Sequence, residues 1–310
     1  MRKFKYLFFS LSFLVGSSLS YASDNTLGKP DYAVMTKQSL HDEFSEAVMG
    51  RQHAKVKKLI LAGADTNTPF QFLKSFGRGR DMEHYVQGTA FEYAVEFGDL
   101  AMIKILPTPS DKARDKALDV AIKKNYPAMT TYFLQHKAKA KDSYLIDTID
   151  WKSTGREKEM IEILLHAKVN VNYADRFGST ALHRAVEHEK ISIVKQLIAA
   201  KADINHANLL GVTPLMRAIK NHDVPMVRIL INIPKININQ ADKNGDTALM
   251  YAFNYIQTSY YDNSGYQKCK NSQLILKALL DTRGVDLYHA NNKGKTAIQL
   301  LKELRDKLPN

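Results

Sequence analysis

Thr213-Pro214-Leu215-Met216 is one of four copies of a short phrase, the others being Thr180-Ala181-Leu182-His183, Thr247-Ala248-Leu249-Met250 and Thr296-Ala297-Ile298-Gln299. The copies lie 33, 34 and 49 residues apart. A period of about 33 residues marks an architecture made by stacking one supersecondary unit. The phrase opens a helix: the Thr213 hydroxyl can cap it, and Pro214 sits at the first helical position, where a missing N–H costs nothing. Three residues after each Leu comes Ala185, Ala218 or Ala252, small enough for neighbouring helices to approach closely. Val194, Leu197 and Ile198 recur as Val227, Leu230 and Ile231 at the spacing of a second amphipathic helix. Polar turns such as Ala202-Asp203-Ile204-Asn205 close the units, followed by tips such as Asp242-Lys243-Asn244-Gly245.

These features resemble the ankyrin repeat family, whose units join a β-turn finger to two antiparallel helices and carry a T-P-L-H-x-A signature. The resemblance covers nearly every framework position at 175–206 and 207–240. It extends toward the N-terminus through Ala47, Val56, Leu59 and Gly63-Ala64-Asp65, then Thr89, Ala94 and Gly98-Asp99, and degenerate copies around Leu118 to Ala138 and Ile161 to Asn172. The fold implied is an all-α solenoid of about seven repeats with β-turn fingers and a cap at 291–310. Lys137, Lys168 and Lys201 stand where the family has a helix-ending Gly, so those turns must tolerate or avoid the left-handed conformation. The signature His survives only at His183, where the resemblance implies a structural hydrogen-bonding role, and Met216 and Met250 are expected to loosen the corresponding contacts.

Ahead of the repeats, Arg2, Lys3 and Lys5, the apolar run Tyr6 to Val15 and the site Ser20-Tyr21-Ala22 read as an export signal over 1–22. The run is too short for an ordinary membrane-spanning helix. The expected organisation is a flexible 23–38 segment and a repeat domain over 39–310, in a periplasmic or secreted protein without a membrane span after cleavage. A lone Cys269 excludes an internal disulfide framework, and no Cys or His spacing points to a metal. The net charge of +12, of which Arg2, Lys3 and Lys5 supply three, favours an acidic or mixed apolar partner surface. The spread of the lysines argues against nucleic acid.

Insertions interrupt the period near 68–86, 149–157 and 254–273. Asn67 to Thr89 takes 22 positions where Asn172 to Thr180 takes 8, and the extra length holds Phe70, Phe72, Phe76, Arg78 and Arg80. The second contains Trp151, read as core filler. The third carries Tyr255, Tyr260, Tyr261 and Tyr266, and tyrosine gives binding loops a rigid contact area with a polar tip. The ankyrin resemblance places partners on finger tips and the exposed first-helix face. On this chain that strip comprises Arg176, Phe177, Glu187, His188, Leu209, Leu210, Lys220, Asn221, Lys243 and Asn244, continuing to Tyr255. Leu209-Leu210 is unusual for a tip, where water favours polar residues.

No HExxH order, Gly-rich phosphate loop, G-x-S-x-G elbow or Cys–His pair appears in the chain. The expectation is a monomeric, non-enzymatic adaptor for another protein, without cofactor or metal. An inhibitor or immunity-type protein is the alternative, and an enzyme with an unfamiliar site the third class.

Overall fold

Each apolar period of the sequence becomes a pair of short antiparallel helices in the computed structural model, which describes the backbone of residues 35–75, 83–150, 155–261 and 266–307 and the side chains of 35–72, 86–150, 155–256 and 270–303. Among the described residues the pairs are α1 (Lys37–Met49) with α2 (His53–Leu61), α3 (Ala90–Glu96) with α4 (Leu100–Ile105), and α5 (Asp111–Lys123) with α6 (Pro127–Gln135). They continue as α7 (Tyr144–Asp150) with α8 (Glu157–His166), α9 (Ala181–Glu187) with α10 (Ile191–Ala199), and α11 (Pro214–Lys220) with α12 (Val224–Ile231). Last come α13 (Ala248–Tyr261) with α14 (Tyr266–Leu280), then α15 (Ala297–Lys307). The first helix of every pair packs on the first helix of the next. Most of these helices are too short to persist alone in water, so burial between neighbours supplies their stability.

The repeated phrase does what its chemistry requires. The Thr213 hydroxyl accepts the Met216 N–H at 3.3 Å, and Pro214 occupies the first turn. Ala185, Ala218 and Ala252 are fully buried where first helices meet, beside Leu182, Leu215 and Leu249. A second helix adds its own buried ridge, such as Val227 and Leu230 in α12. Fully burying each such side chain contributes about 1.5–3 kcal/mol.

Two expectations about the insertions change. The chain is predominantly helical, but the first insertion is not an open loop: β1 (Phe70–Ser75) and β2 (Glu83–Gly88) form an antiparallel hairpin with Phe70 opposite Gly88 and Phe72 opposite Val86. The alternation of Phe70 and Phe72 explains it, because both rings face one side and pack on Tyr93 at 6.0 and 5.2 Å. The third insertion, expected near 254–273, is largely absorbed as added turns on α13 and α14. Ala248 to Tyr261 has no Gly or Pro to stop the helix. The expected flexible segment 23–38 overlaps the start of α1, whose Thr36 hydroxyl accepts the Ser39 N–H at 3.2 Å. The export signal, Phe76, Arg78, Arg80 and Trp151 lie outside the described residues. So do the side chains of Tyr260, Tyr261, Tyr266 and Cys269. Among the described residues no helix is long and apolar enough to cross a membrane.

Candidate functional site

The fingers between 174 and 296 are built from one local device. In the first, Asp175 accepts the N–H groups of Phe177 and Ser179 on a single carboxylate oxygen at 2.8 and 2.9 Å, while its carbonyl accepts the Gly178 N–H at 2.8 Å. Asn208, Asp242 and Asn291 repeat this pattern in the next three fingers. An Asx side chain thus locks each tip, and a left-handed Gly follows it. Burial opposes the charge on Asp175, yet the Arg184 guanidinium and the Ser179 and Phe177 N–H groups hold its carboxyl below the ordinary value.

Adjacent fingers are joined by backbone. The Leu209 N–H donates to the Phe177 carbonyl at 3.0 Å, Lys243 N–H to Leu210 at 3.0 Å, and Asn292 N–H to Asn244 at 2.9 Å. Such contact leaves no room for a Cβ at Gly178, Gly211 or Gly245: one on Gly211 would stand 2.6 Å from the Lys243 nitrogen. The ladder brings Phe177, Leu209 and Leu210 together on the outside, with exposures of 54, 59 and 66%. The Arg176 guanidinium lies 4.8 Å from the centre of the Phe177 ring. Lys243 and Asn244 extend this edge, both exposed. The result is an apolar ridge, flanked by cations and held on a rigid backbone.

The rest of the sequence-expected strip divides. Lys220 is exposed, whereas Glu187 pairs with Arg184 at 3.2 Å and Arg217 at 3.6 Å. His188 pairs with Asp150 at 3.2 Å. The Asn221 amide donates to the Glu187 carbonyl at 3.0 Å, and Tyr255 is half-buried, edge-on to His222 at 5.5 Å. Burial pushes the Tyr255 phenol up. These residues hold first helices together as well as lining the face, while Phe177, Leu209 and Leu210 present their side chains outward from the finger tips.

His183 is structural. It is almost wholly buried, its Nδ1 accepts the Thr180 N–H at 3.2 Å, and its Nε2–H donates to the Val212 carbonyl at 3.0 Å. Burial drives its pKa down to about 4. At the corresponding position Met216 is equally buried, but its sulfur only reaches the Thr213 N–H at 3.5 Å, and it provides no donor to the next finger. The three lysines in place of Gly tolerate the left-handed conformation, with φ of 67° at Lys137, 60° at Lys168 and 65° at Lys201.

Two features escaped the sequence reading. An amide ladder links the inter-repeat turns: Asn172 accepts the Asp203 N–H, Asn205 the Asn237 N–H and Asn239 the Asp286 N–H, at 2.7, 2.7 and 2.8 Å. Its signal was present, because Asn172, Asn205 and Asn239 share the period of the Thr phrase. The other is a concavity of about 180 Å³ between the hairpin and α3 and α5. Among the described residues no His, Cys, Asp or Glu group has the grouping of a metal site.

Residues 151–208 and 189–261 match the ankyrin repeats family model, in three copies. The chain is similar to the crystal structure of an ankyrin repeat domain from Acinetobacter baumannii AYE, with 23% identity and a TM-score of 0.51 over 61% of this chain and 91% of that one. No curated protein matches it. That likeness concerns fold alone, while the family match reaches three repeats rather than all seven helix pairs. The phrase, the finger geometry and the stacking order of the described residues agree with the ankyrin repeats that the family model matches within 151–261.

Proposed function

We propose that this protein is an exported ankyrin-repeat adaptor that binds another protein along the finger edge formed by Arg176, Phe177, Leu209, Leu210, Lys243 and Asn244, with all seven helix pairs acting as repeats. Ankyrin repeats generally mediate contacts between proteins, and the family match supports that class of function here. The observation that carries the reading is the exposed Phe177–Leu209–Leu210 ridge on backbone-linked tips. Water penalises such a cluster, and a rigid ridge loses little conformational entropy on association. The flanking Arg176 and Lys243 favour a partner with an apolar centre and acidic rim. No catalytic role enters this reading, and residues 1–22 would direct the chain to the periplasm or beyond.

Photocrosslinking side chains at positions 177, 209 and 243, compared with one at position 196 on a second helix, test the surface in the exported fraction. The finger positions are expected to capture the same protein and position 196 to capture none. Against that purified protein, Leu209→Ser with Leu210→Ser should weaken binding at least tenfold with helicity intact. Equal affinity would remove the finger edge from the site. A captured enzyme or toxin whose activity falls on binding would turn the adaptor into an inhibitor.

A further inference from the structure

The charges of the four finger tips are sorted by exposure. Each carboxylate is drawn back into its turn: Asp175 onto two N–H groups and the Arg184 guanidinium at 2.7 Å, and Asp242 onto two N–H groups and the Tyr251 hydroxyl at 2.9 Å. Asp246 accepts the Asn291 amide at 2.7 Å, and Lys295 is engaged with Glu303 at 2.7 Å. The charges left outward are all cations: Arg176 on the first tip, Lys243 on the third and Lys293 on the fourth. Each is exposed and has no ion-pair partner among the described residues. Phe177, Leu209 and Leu210 lie between the first cation and the second.

The backbone decides how a partner can lie on this row. Between the first tip and the fourth, the N–H and carbonyl groups facing along the row already join one finger to the next, so they offer no strand edge to a foreign segment. Recognition there comes through side chains. Each finger is two paired chain segments wide, as the Ala174–Thr180, Ala241–Thr247 and Ala290–Thr296 bridges show, so tips recur about every 9–10 Å, twice the spacing of paired strands. Seven residues of α-helix rise about 10.5 Å and return to the same face. An extended segment covers that distance in about three residues, which turns the side chains at successive tips to opposite faces.

We propose that the finger row receives one acidic, amphipathic α-helix of the partner protein, its apolar stripe on Phe177, Leu209 and Leu210 and its carboxylates facing Arg176, Lys243 and Lys293. This helix presupposes the finger edge as the protein-binding surface, and its register follows from the tip spacing. A carboxylate facing Arg176 is followed about fourteen residues on by one facing Lys243, and about twenty-one on by one facing Lys293. Complementary charge selects the partner and sets this register.

The test uses the full exported chain and a labelled, acetylated and amidated peptide of Ala and Gln, about 25 residues long, with three Glu and three Leu on one helical face in that register. Fluorescence polarisation should give saturable binding, and circular dichroism a gain in peptide helicity. Arg176→Gln, Lys243→Gln and Lys293→Gln should each weaken binding about threefold and together at least tenfold, while Lys195→Gln, exposed on α10, should leave it unchanged. A central Pro in the peptide, or Lys in place of each Glu, should also weaken it at least tenfold. Absence of saturable binding, equal binding of either control peptide, or indifference to the triple Gln variant would each overturn the acidic helix. In those cases the finger edge itself still stands if crosslinkers at 177 and 209 capture a protein, and falls if they capture none. Sedimentation of the chain with phosphatidylglycerol vesicles that the peptide does not reverse would overturn the helix in favour of a lipid surface.

Discussion

The two halves of this chain solve the same stacking problem by different means. From 174 to 296, fingers repeat one Asx-and-Gly turn and hydrogen-bond tip to tip. From 70 to 150, a single long hairpin packs through Phe70, Phe72, Tyr93 and Phe97, and the two following units have no such fingers. There the links are side chains: Asp115 accepts the Lys139 N–H at 2.7 Å and Lys141 pairs with Asp119 at 2.6 Å. Backbone ladders constrain sequence only at the glycines and Asx positions, so they leave the tips free to vary for binding. Side-chain links use up the residues that make them, and the units joined that way drift furthest from the repeat pattern.

The comparison breaks most sharply at glycine. Gly211 has φ +80°, and its close approach to Lys243 puts an added methyl in the ladder itself. Gly211→Ala should cost about 3–4 kcal/mol, from left-handed strain plus displaced backbone. Gly63, in the N-terminal half, has φ +95° with nothing within 4 Å of a Cβ, so Gly63→Ala carries strain alone, about 1–2 kcal/mol. Thermal melts of the two variants should differ by several degrees. Equal shifts would show that the finger ladder adds nothing beyond local turn conformation.

A second difference appears with pH. His183 in the folded chain titrates at about 4, against an ordinary value of about 6.5. Its neutral form is the one that packs, so this contribution is complete above pH 6.5. As pH falls toward 4 the unfolded chain takes up a proton that the folded chain refuses, and stability drops by about 3 kcal/mol. His183→Met, which copies Met216, should flatten that part of the profile at some cost in stability at pH 7. A variant with the wild-type slope between pH 6.5 and 4 would assign the pH dependence to other groups.

The regular half was legible because period, capping and turn chemistry agree there: Thr213, Pro214, Asn208 and Gly211 each point to the conformation they adopt. Phe177, Leu209 and Leu210 were legible as an exposed apolar cluster because apolar residues stand where tip chemistry calls for polar ones. The hairpin was harder. Its strands are set by Phe70 and Phe72 finding Tyr93 and Phe97, a contact between residues some twenty positions apart that no local pattern announces. In the tyrosine-rich insertion the excess over the period points to a loop, whereas the absence of Gly and Pro up to Tyr261 lets the chain continue as α13. Nor does spacing alone show that Asn221 and Glu187 are engaged with neighbouring helices.

The amide ladder offers a smaller test. Asn205 accepts the Asn237 N–H at 2.7 Å and donates to the Lys235 carbonyl at 2.9 Å, joining two inter-repeat turns. Asn205→Ala should cost about 1–2 kcal/mol, since both bonds are near solvent. Hydrogen exchange should quicken at Asn237 while the finger ladder at Lys243 stays protected. Loss of protection at both would mean that the two ladders open together as one unit.

The smallest effect has the opposite sign. Lys168 holds φ 60° after α8, a conformation that costs a side chain about 1–2 kcal/mol, and glycine there would relieve it while adding about 0.5–1 kcal/mol of unfolded-state entropy. Lys168→Gly should therefore stabilise by about 0.5–1 kcal/mol, and Lys201→Gly by a similar amount, because its φ is 65°. Their gains should add, since the two turns lie in successive units and share no hydrogen-bond partner among the described contacts. A loss of stability at Lys168 with a gain at Lys201 would place the boundary between the two halves at the α8 turn, by showing that the Lys168 side chain supports the side-chain-linked part of the stack.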